Sequence, residues 1–174
     1  MGLTFSAERK LEEIRERHGK EFGKVVQKLL ALTFTELGYR LAEERAVQGV
    51  DIDVLCEKSG RKMSFEVKTC QGERVSIAEK DVEGLRTRHE VDGYEPYFAF
   101  LFRPHYIAEG WIIVPGDRIK RGEYSSLRLA SWDVGALSER INEEFSRTVE
   151  RTYKDLISCA PGGAQALLKR KYGI

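Results

Sequence analysis

Residues 49–70 carry the pattern that most constrains the fold of this chain: an acid heads one predicted strand, and an acid and a lysine lie two residues apart on the next. The segment reads GVDIDVLCEKSGRKMSFEVKTC, with Asp51 on the first strand and Glu66 and Lys68 on the second. Side chains alternate across a strand, so Glu66 and Lys68 share one face of the sheet. The pattern predicts a β-hairpin that gathers charged groups on one face.

A turn signal, Ser-Gly at 59–60, separates the two strands. If these two residues form a tight hairpin, Asp51 lies opposite Lys68 and Asp53 lies opposite Glu66. Two carboxylates and an ammonium group would then share one patch of the sheet. Buried charges are costly without partners, and carboxylate oxygens are ligands for hard cations. We therefore predict a candidate metal site on this face.

Helical and strand patterns on either side of the hairpin indicate the fold class. Ser76 and Glu79 form a capping-box pattern, which predicts the start of the helix that follows the hairpin. The predicted elements, in chain order, are helices at 6–17 and 20–37, a strand at 39–45, the hairpin, a helix to about 91, and strands at 96–103 and 110–115. This order predicts an α/β fold in which helices flank a mixed central sheet.

The C-terminal residues are predicted to form a helical extension of this core. Residues 1–132 are expected to form the core, and residues 133–174 to pack on it or to form a subunit interface. An apolar stripe at helical spacing supports this expectation. The stripe consists of Val134, Leu137, Ile141 and Phe145.

Composition excludes several classes of protein. The net charge is +1, which by itself favours neither an acidic nor a basic partner. The three cysteines, Cys56, Cys70 and Cys159, are widely spaced and odd in number, which argues against a disulfide framework or a zinc knuckle and favours a reducing cytoplasm. No apolar run approaches the roughly 20 residues that span a bilayer, so no membrane association is expected.

The residue types in the hairpin suit the hydrolysis of a phosphodiester bond. Mg²⁺ prefers oxygen ligands and keeps several waters, so Asp51, Glu66 and the backbone carbonyl of Val67 could hold it, with Mn²⁺ as a substitute. A bound metal polarises a phosphoryl group and activates water. Lys68 is expected to stabilise charge on the transition state, because nearby carboxylates favour its charged form. The number of metal ions stays open.

The same residues carry a family resemblance. GVDIDV followed by FEVKT resembles the core of the PD-(D/E)xK nucleases, the restriction-endonuclease-like superfamily. The stretch VSIAEKDVEGLRTRHEVDGYEPYFAFLFRPHYIAEGWIIVP resembles archaeal Holliday junction resolvases, and the helix-Gly-Tyr and G-x-D-I elements are shared with Mrr-like nucleases. The resemblance covers residues 20–115. It implies a metal-dependent DNA endonuclease, with four-way or branched DNA as the leading substrate.

The resemblance also implies roles for individual residues. Asp51 matches the first metal-binding acid, Glu66 the second metal ligand and Lys68 the catalytic lysine of the superfamily. Thr69 matches a position where relatives often carry a small hydroxyl that can touch phosphate.

Many members carry a glutamate on the first core helix, where this chain departs from the pattern. Counting back eleven residues from Gly38 reaches Gln27, and some members use glutamine there. Glu21 is the alternative, but it lies on the opposite flank of the apolar stripe, so both cannot face the site. We favour Gln27 as the fourth site residue.

The expected partner is DNA, bound by a homodimer because relatives cut paired strands with two sites. Arg61, Lys62 and Arg74 could contact phosphates. Residues 133–174 could dock a repair or recombination protein. Two alternatives stay open: an Mrr-like restriction nuclease that acts on duplex DNA, and a catalytically inactive nucleic-acid-binding or assembly protein with the same fold.

Overall fold

The computed structural model describes residues 2–42, 49–103 and 110–174. The α-helices are α1 (Phe5–His18), α2 (Phe22–Glu36), α3 (Glu79–Asp92), α4 (Ser126–Ala130), α5 (Gly135–Ser158) and α6 (Ala164–Tyr172). The strands are β1 (Arg40–Leu41), β2 (Ile52–Cys56), β3 (Arg61–Gln71), β4 (Arg74–Ile77), β5 (Glu95–Arg103), β6 (Trp111–Pro115) and β7 (Gly122–Ser125). Residues 43–45 of the strand predicted at 39–45 lie outside the described residues.

Five strands form a mixed central sheet in the order β1-β2-β3-β5-β6, which confirms the predicted fold class. β3 and β5 run parallel, and the other neighbours in the sheet are antiparallel. Parallel neighbours need a crossover connection, and α3 supplies it between β3 and β5. A second sheet of two antiparallel strands, β4 and β7, lies beside this crossover.

Helices cover both faces of the central sheet, and the alternation along β5 shows how the two layers form. Tyr97, Ala99 and Leu101 face one hydrophobic cluster, which contains the buried sides of α1, α2, α5 and α6. The residues that alternate with them along β5 face a second cluster, to which α3 contributes Leu85. These residues are Phe98, Phe100 and Phe102. Each face of β5 is therefore apolar, as expected of a strand buried on both sides.

The predicted register of the hairpin is wrong by two residues. Asp53 lies opposite Ser64, not Glu66, because β2 and β3 are joined by four residues, 57–60, instead of a two-residue turn. Asp51 precedes β2 and does not lie opposite Lys68. A slip of two residues leaves each side chain of a strand on its predicted face. The hairpin therefore still gathers its charged groups on the side of α3.

The predicted capping box at the start of α3 is also wrong. Ser76 lies within β4 and pairs with Glu123 of β7, a long-range contact that local sequence does not reveal. The helix begins two residues later, after Ala78, whose N–H donates to the Asp81 carboxylate at 3.3 Å. The predicted end is confirmed, since Gly93 closes α3 with a left-handed φ of 73°.

The C-terminal helices share the core of the central sheet. Ile141 and Phe145 of α5 are fully buried, and the Phe145 ring meets Trp111 of β6 edge-on at 5.4 Å. The predicted apolar stripe is therefore covered by this chain itself. No helix within the described ranges is both long and apolar enough to cross a membrane.

Candidate active site

The side-chain ammonium of Lys68 lies between two carboxylates at the centre of the candidate site. Its Nζ is 2.8 Å from Oε1 of Glu66 and 2.8 Å from Oδ2 of Asp81. Glu66 and Lys68 are neighbours on one face of β3, and Asp81 comes from the first turn of α3, which crosses that face. Both carboxylates are buried, with Glu66 6% and Asp81 3% exposed.

Asp51 joins these residues from the chain segment that leads into β2. Its N–H donates to the Phe65 carbonyl at 2.9 Å, and its Oδ2 accepts the Val67 N–H at 2.8 Å. The N–H and C=O of a strand residue point to the same side, so the Val67 carbonyl faces the edge where Asp51 lies. Asp51, Glu66, Lys68 and Asp81 together are called the Lys68 cluster below.

Burial and neighbouring charge change the ionisation of Glu66. Burial first, and then the negative charge of Asp51, raise the pKa of Glu66 to about 7, although Lys68 acts in the opposite direction. Removing a carboxylate from water disfavours its charged form, and a second carboxylate nearby adds to that cost. A cation placed between Asp51 and Glu66 would relieve both effects.

For Lys68, unlike Glu66, the effect of burial on the pKa is outweighed by hydrogen bonds to neighbouring charges. Burial disfavours its charged form, but the hydrogen bonds from Lys68 to Asp81 and Glu66 outweigh burial and raise the pKa of Lys68. Lys68 is therefore an ammonium group at neutral pH. This state suits the stabilisation of negative charge and does not suit a general base.

The structure places Gln27, and not Glu21, beside the Lys68 cluster. Nε2 of Gln27 donates to the backbone carbonyl of Asp51 at 3.3 Å, and its Oε1 accepts from Lys24 at 3.1 Å. Lys24 Nζ also lies 3.9 Å from Oδ1 of Asp51. Glu21 instead accepts the Gln165 N–H at 2.9 Å, at the start of α6.

The residues predicted to contact DNA lie at different parts of the molecule. Thr69 follows Lys68 but faces α2, where a Cβ on Gly23 would lie 3.3 Å from its Oγ1. Arg61 and Lys62 lie at the turn end of the hairpin, where Arg61 pairs with Glu95 at 2.7 Å. Seven residues of strand separate Arg61 from Lys68, or about 23 Å.

Arg74 lies on the small sheet that follows β3, at 2.9 Å from Glu123 of the neighbouring strand. Both side chains are well exposed, so the guanidinium is accessible to a phosphate. None of the four predicted contact residues belongs to the Lys68 cluster.

A second ion cluster lies on the same face of the hairpin, next to the first. Arg88 of α3 donates to Asp53 through Nε at 3.0 Å and approaches it through Nη2 at 2.8 Å, and its Nη1 donates to Asp92 at 2.5 Å. Ser64 donates to Asp53 at 2.5 Å, and the Arg88 guanidinium stacks 4.2 Å from the centre of the Tyr94 ring. These five residues are called the Arg88 cluster.

Asp81 is the site residue that the sequence pattern did not reveal. An acid in the first turn of a helix is common because its negative charge is favourable near the helix N-terminus. The sequence therefore explains Asp81 without any contact to a lysine. The position of Asp81 in the first turn of the helix that follows the hairpin was the available signal. Its contact with Lys68 depends on how α3 crosses the sheet, which the sequence does not specify.

The Lys68 cluster fits a divalent cation that keeps much of its hydration. In the described part of the chain, no three or more His, Cys, Asp and Glu side chains are grouped to hold a metal ion. Asp51 and Glu66 can offer carboxylate oxygens, and the Val67 carbonyl faces the same edge. A cation held by two carboxylates and a carbonyl leaves positions for water and phosphate, which is the usual situation of Mg²⁺.

Comparison with known proteins identifies the family. The family model of the archaeal Holliday junction resolvase (Hjc) matches residues 15–145. No curated protein matches the chain. The chain is similar to the solved structure of Hjc, a Holliday junction resolvase from the archaeal hyperthermophile Archaeoglobus fulgidus, at 13% identity and a TM-score of 0.49 over 67% of this chain and 95% of that chain. Since the family model spans well over half of the chain, this protein belongs to the archaeal Holliday junction resolvase family, whose members are structure-specific, metal-dependent nucleases.

Proposed function

We propose that this protein is a Mg²⁺-dependent endonuclease that cuts four-way DNA junctions at the Lys68 cluster. Asp51 and Glu66, with the carbonyl of Val67, are the metal ligands in this proposal, and Lys68 is the catalytic lysine. The observation that carries the proposal is the grouping of Asp51 and Glu66 beside a half-buried, charged lysine at the end of a hairpin.

A bound metal would polarise the scissile phosphodiester and lower the pKa of a coordinated water. Asp51 is already oriented for binding, because the Val67 N–H holds one of its carboxylate oxygens. Glu66 in its ionised form would supply a second carboxylate to the metal, and the Lys68 ammonium would stabilise the negative charge that develops on the phosphate in the transition state. The hydrogen bonds that orient Asp51 and Lys68 are present before the substrate arrives.

Gln27 is proposed to position Asp51 from the side of α2. Its amide holds the backbone carbonyl of Asp51, and its amide oxygen accepts a hydrogen bond from Lys24. Lys24 is thereby kept close to the Asp51 carboxylate, where it could also meet a phosphate.

The DNA contacts predicted from sequence remain proposals. Thr69 and Arg74 lie near the end of β3 that carries Lys68, so they are candidates for phosphates close to the cut. Arg61 and Lys62, at the far end of the same strand, could only reach phosphates farther along a duplex arm. Replacement of Arg74 with alanine should reduce the slope of log affinity against log salt by about 1 if it binds one phosphate.

A homodimer is proposed because resolution of a four-way junction requires cuts in two strands. Two copies related by a two-fold axis would present two Lys68 clusters to the two strands of like polarity. Analytical ultracentrifugation of the free protein and of its junction complex tests this arrangement.

The direct test compares substrates. Labelled four-way junction, linear duplex, methylated duplex and single-stranded DNA are incubated with the protein in Mg²⁺, Mn²⁺ or Ca²⁺. Paired cuts in the junction with Mg²⁺ and Mn²⁺ support the proposal. Preference for methylated duplex would instead indicate an Mrr-like nuclease, and tight junction binding without cleavage in any metal would indicate a binding protein.

A further inference from the structure

We propose that Asp81 is a positioning residue that holds Lys68 in place while Glu66 binds the metal. The inference rests on the proposed function and extends it to a residue outside the D…E-x-K pattern. Asp81 acts through Lys68 and is not proposed to touch the metal or the DNA.

Lys68 contacts two carboxylates, and only one of them, that of Glu66, is also a proposed metal ligand. An ammonium group has three donors, and contacts of 2.8 Å to Glu66 and 2.8 Å to Asp81 account for two of them. The third donor is left for a phosphate oxygen. A metal at Glu66 competes for the same carboxylate lone pairs that Lys68 uses. Asp81 is then the partner that keeps Lys68 from turning away.

The backbone of Ala78, which directly precedes α3, fixes Asp81 without the help of Lys68. Asp81 is the third residue of the helix, and its Oδ2 accepts the Ala78 N–H at 3.3 Å, while its own N–H donates to the Ala78 carbonyl at 3.2 Å. The side chain is almost completely buried. Such a carboxylate has little freedom to follow Lys68, so it defines where the ammonium group lies.

The segment that carries Asp51 is tied to the same turn of α3. Gly49 has a φ of +82°, and a Cβ there would lie 2.4 Å from the carbonyl oxygen of Lys80 and 3.1 Å from Cα of Asp81. The chain two residues before Asp51 therefore packs directly on the backbone of the residue that holds Lys68. This contact couples the position of the first metal ligand to that of the lysine.

The neighbouring Arg88 cluster provides a comparison for Asp81, because it lies on the same helix and is assigned only a structural role. Asp53 and Arg88 satisfy each other and have no other function in the proposed mechanism. If Asp81 were only structural, its removal would lower stability and affect every activity equally. A positioning role predicts a loss that depends on Lys68.

The test measures single-turnover cleavage of a four-way junction by Asp81→Ala, Asp81→Asn and the control Glu79→Gln. The control removes an exposed acid from the same first turn. We expect Asp81→Ala to cleave about 10- to 100-fold more slowly, as for a misplaced catalytic group. Asp81→Asn keeps an oxygen acceptor and should recover part of the rate, and Glu79→Gln should match the wild type.

Two further measurements separate positioning from metal binding and from folding. Mn²⁺ affinity and junction affinity in Ca²⁺ should be unchanged in Asp81→Ala. In a Lys68→Ala background, with residual cleavage followed in Mn²⁺ over long times, Asp81→Ala should have no additional effect, because a residue that acts through Lys68 has nothing left to position.

The outcomes are distinct for the two proposals. Wild-type rates in Asp81→Ala, a full additional loss in the Lys68→Ala background, or a loss of Mn²⁺ affinity would each overturn the positioning role while leaving the resolvase activity in place. If the wild type cuts no DNA in any metal, the proposed function fails and the role of Asp81 fails with it.

Discussion

The Lys68 cluster and the Arg88 cluster occupy the same face of the same hairpin and share helix α3, yet they differ in how their charges are balanced. In the Arg88 cluster, one guanidinium pairs with Asp53 and Asp92 and stacks on Tyr94, and Ser64 donates a further hydrogen bond to Asp53. In the Lys68 cluster, one ammonium group is shared by Glu66 and Asp81, and Asp51 adds a third acid nearby.

The difference shows what each cluster contributes. An arginine whose Nε, Nη1 and Nη2 each contact a carboxylate, and whose guanidinium stacks on an aromatic ring, attaches α3 to the sheet. Three acids around one lysine leave negative charge uncompensated, and burial together with the charge of Asp51 raises the pKa of Glu66. We expect the first arrangement to stabilise the fold, and we expect the second, the proposed metal site, to favour a bound cation at some cost in stability. Four substitutions test this contrast.

Lys68→Ala should have the largest effect on activity. Removal of a positive charge from a preorganised, partly buried site should slow junction cleavage on the order of 10³-fold. The free energy of unfolding should fall less than in Arg88→Ala, because Glu66, whose pKa is about 7, can take up a proton or bind a cation when Lys68 is removed. Single-turnover kinetics and urea unfolding measure the two effects, and a large loss of stability with normal cleavage would reverse the assignment.

Arg88→Ala should lower the stability of the protein and leave its metal affinity unchanged. Removal of Arg88 leaves the Asp53 carboxylate, whose side chain is 9% exposed, with the Ser64 hydroxyl but without a counter-charge, which should lower the free energy of unfolding by about 3 kcal/mol. Below its unfolding transition, the variant should still bind Mn²⁺ with wild-type affinity. Chemical denaturation and metal titration at the same temperature provide the comparison, and loss of metal affinity in the folded variant would show that the two clusters are not separate.

Gly49→Ala should disturb the contact between the segment that leads to Asp51 and the first turn of α3. The left-handed φ and the overlap with the Lys80 carbonyl together should cost about 2–4 kcal/mol. Gly60→Ala is the matched control, since Gly60 has a φ of +69° and a Cβ added there would meet nothing within 4 Å. Only Gly49→Ala should also reduce cleavage, and equal losses of stability in both variants would argue against the close contact.

Glu66→Gln should stabilise the metal-free protein at alkaline pH. The pKa of Glu66 rises from 4.5 to about 7 on folding, so the folded state binds more protons between these values and loses stability as pH rises through them. In EDTA at pH 8, the variant should be more stable than the wild type by about 1–3 kcal/mol. The difference should shrink toward pH 4.5. A variant less stable at pH 8 would contradict the raised pKa.

Much of the fold and the E-x-K face could be predicted because these features depend on local periodicity. Glu66 and Lys68 must share a face in any straight strand, and a two-residue error in register does not change that. The register itself could not be read, because the Ser-Gly signal forms only the second half of a four-residue loop at 57–60. Turn residues show where the chain reverses its direction, but they do not show how many residues the loop contains.

Contacts between distant elements account for what the sequence did not show. Ser76 pairs with β7, and Asp81 reaches Lys68 because α3 crosses over β3. Asp53 could be placed on the correct face but not assigned to Arg88, which lies 35 residues away in sequence. The partners of a charged residue depend on how elements pack, whereas its face depends on the strand alone.

The most direct test of the account is Mn²⁺ binding by Asp51→Asn and Asp53→Asn, measured by electron paramagnetic resonance of the free ion in the absence of DNA. Both substitutions remove one charge from an acid on the same segment and keep the shape of the side chain. We predict that Asp51→Asn abolishes binding at the Lys68 cluster and that Asp53→Asn binds like the wild type. Wild-type binding by Asp51→Asn, or equal loss in both variants, would contradict the assignment of the metal site.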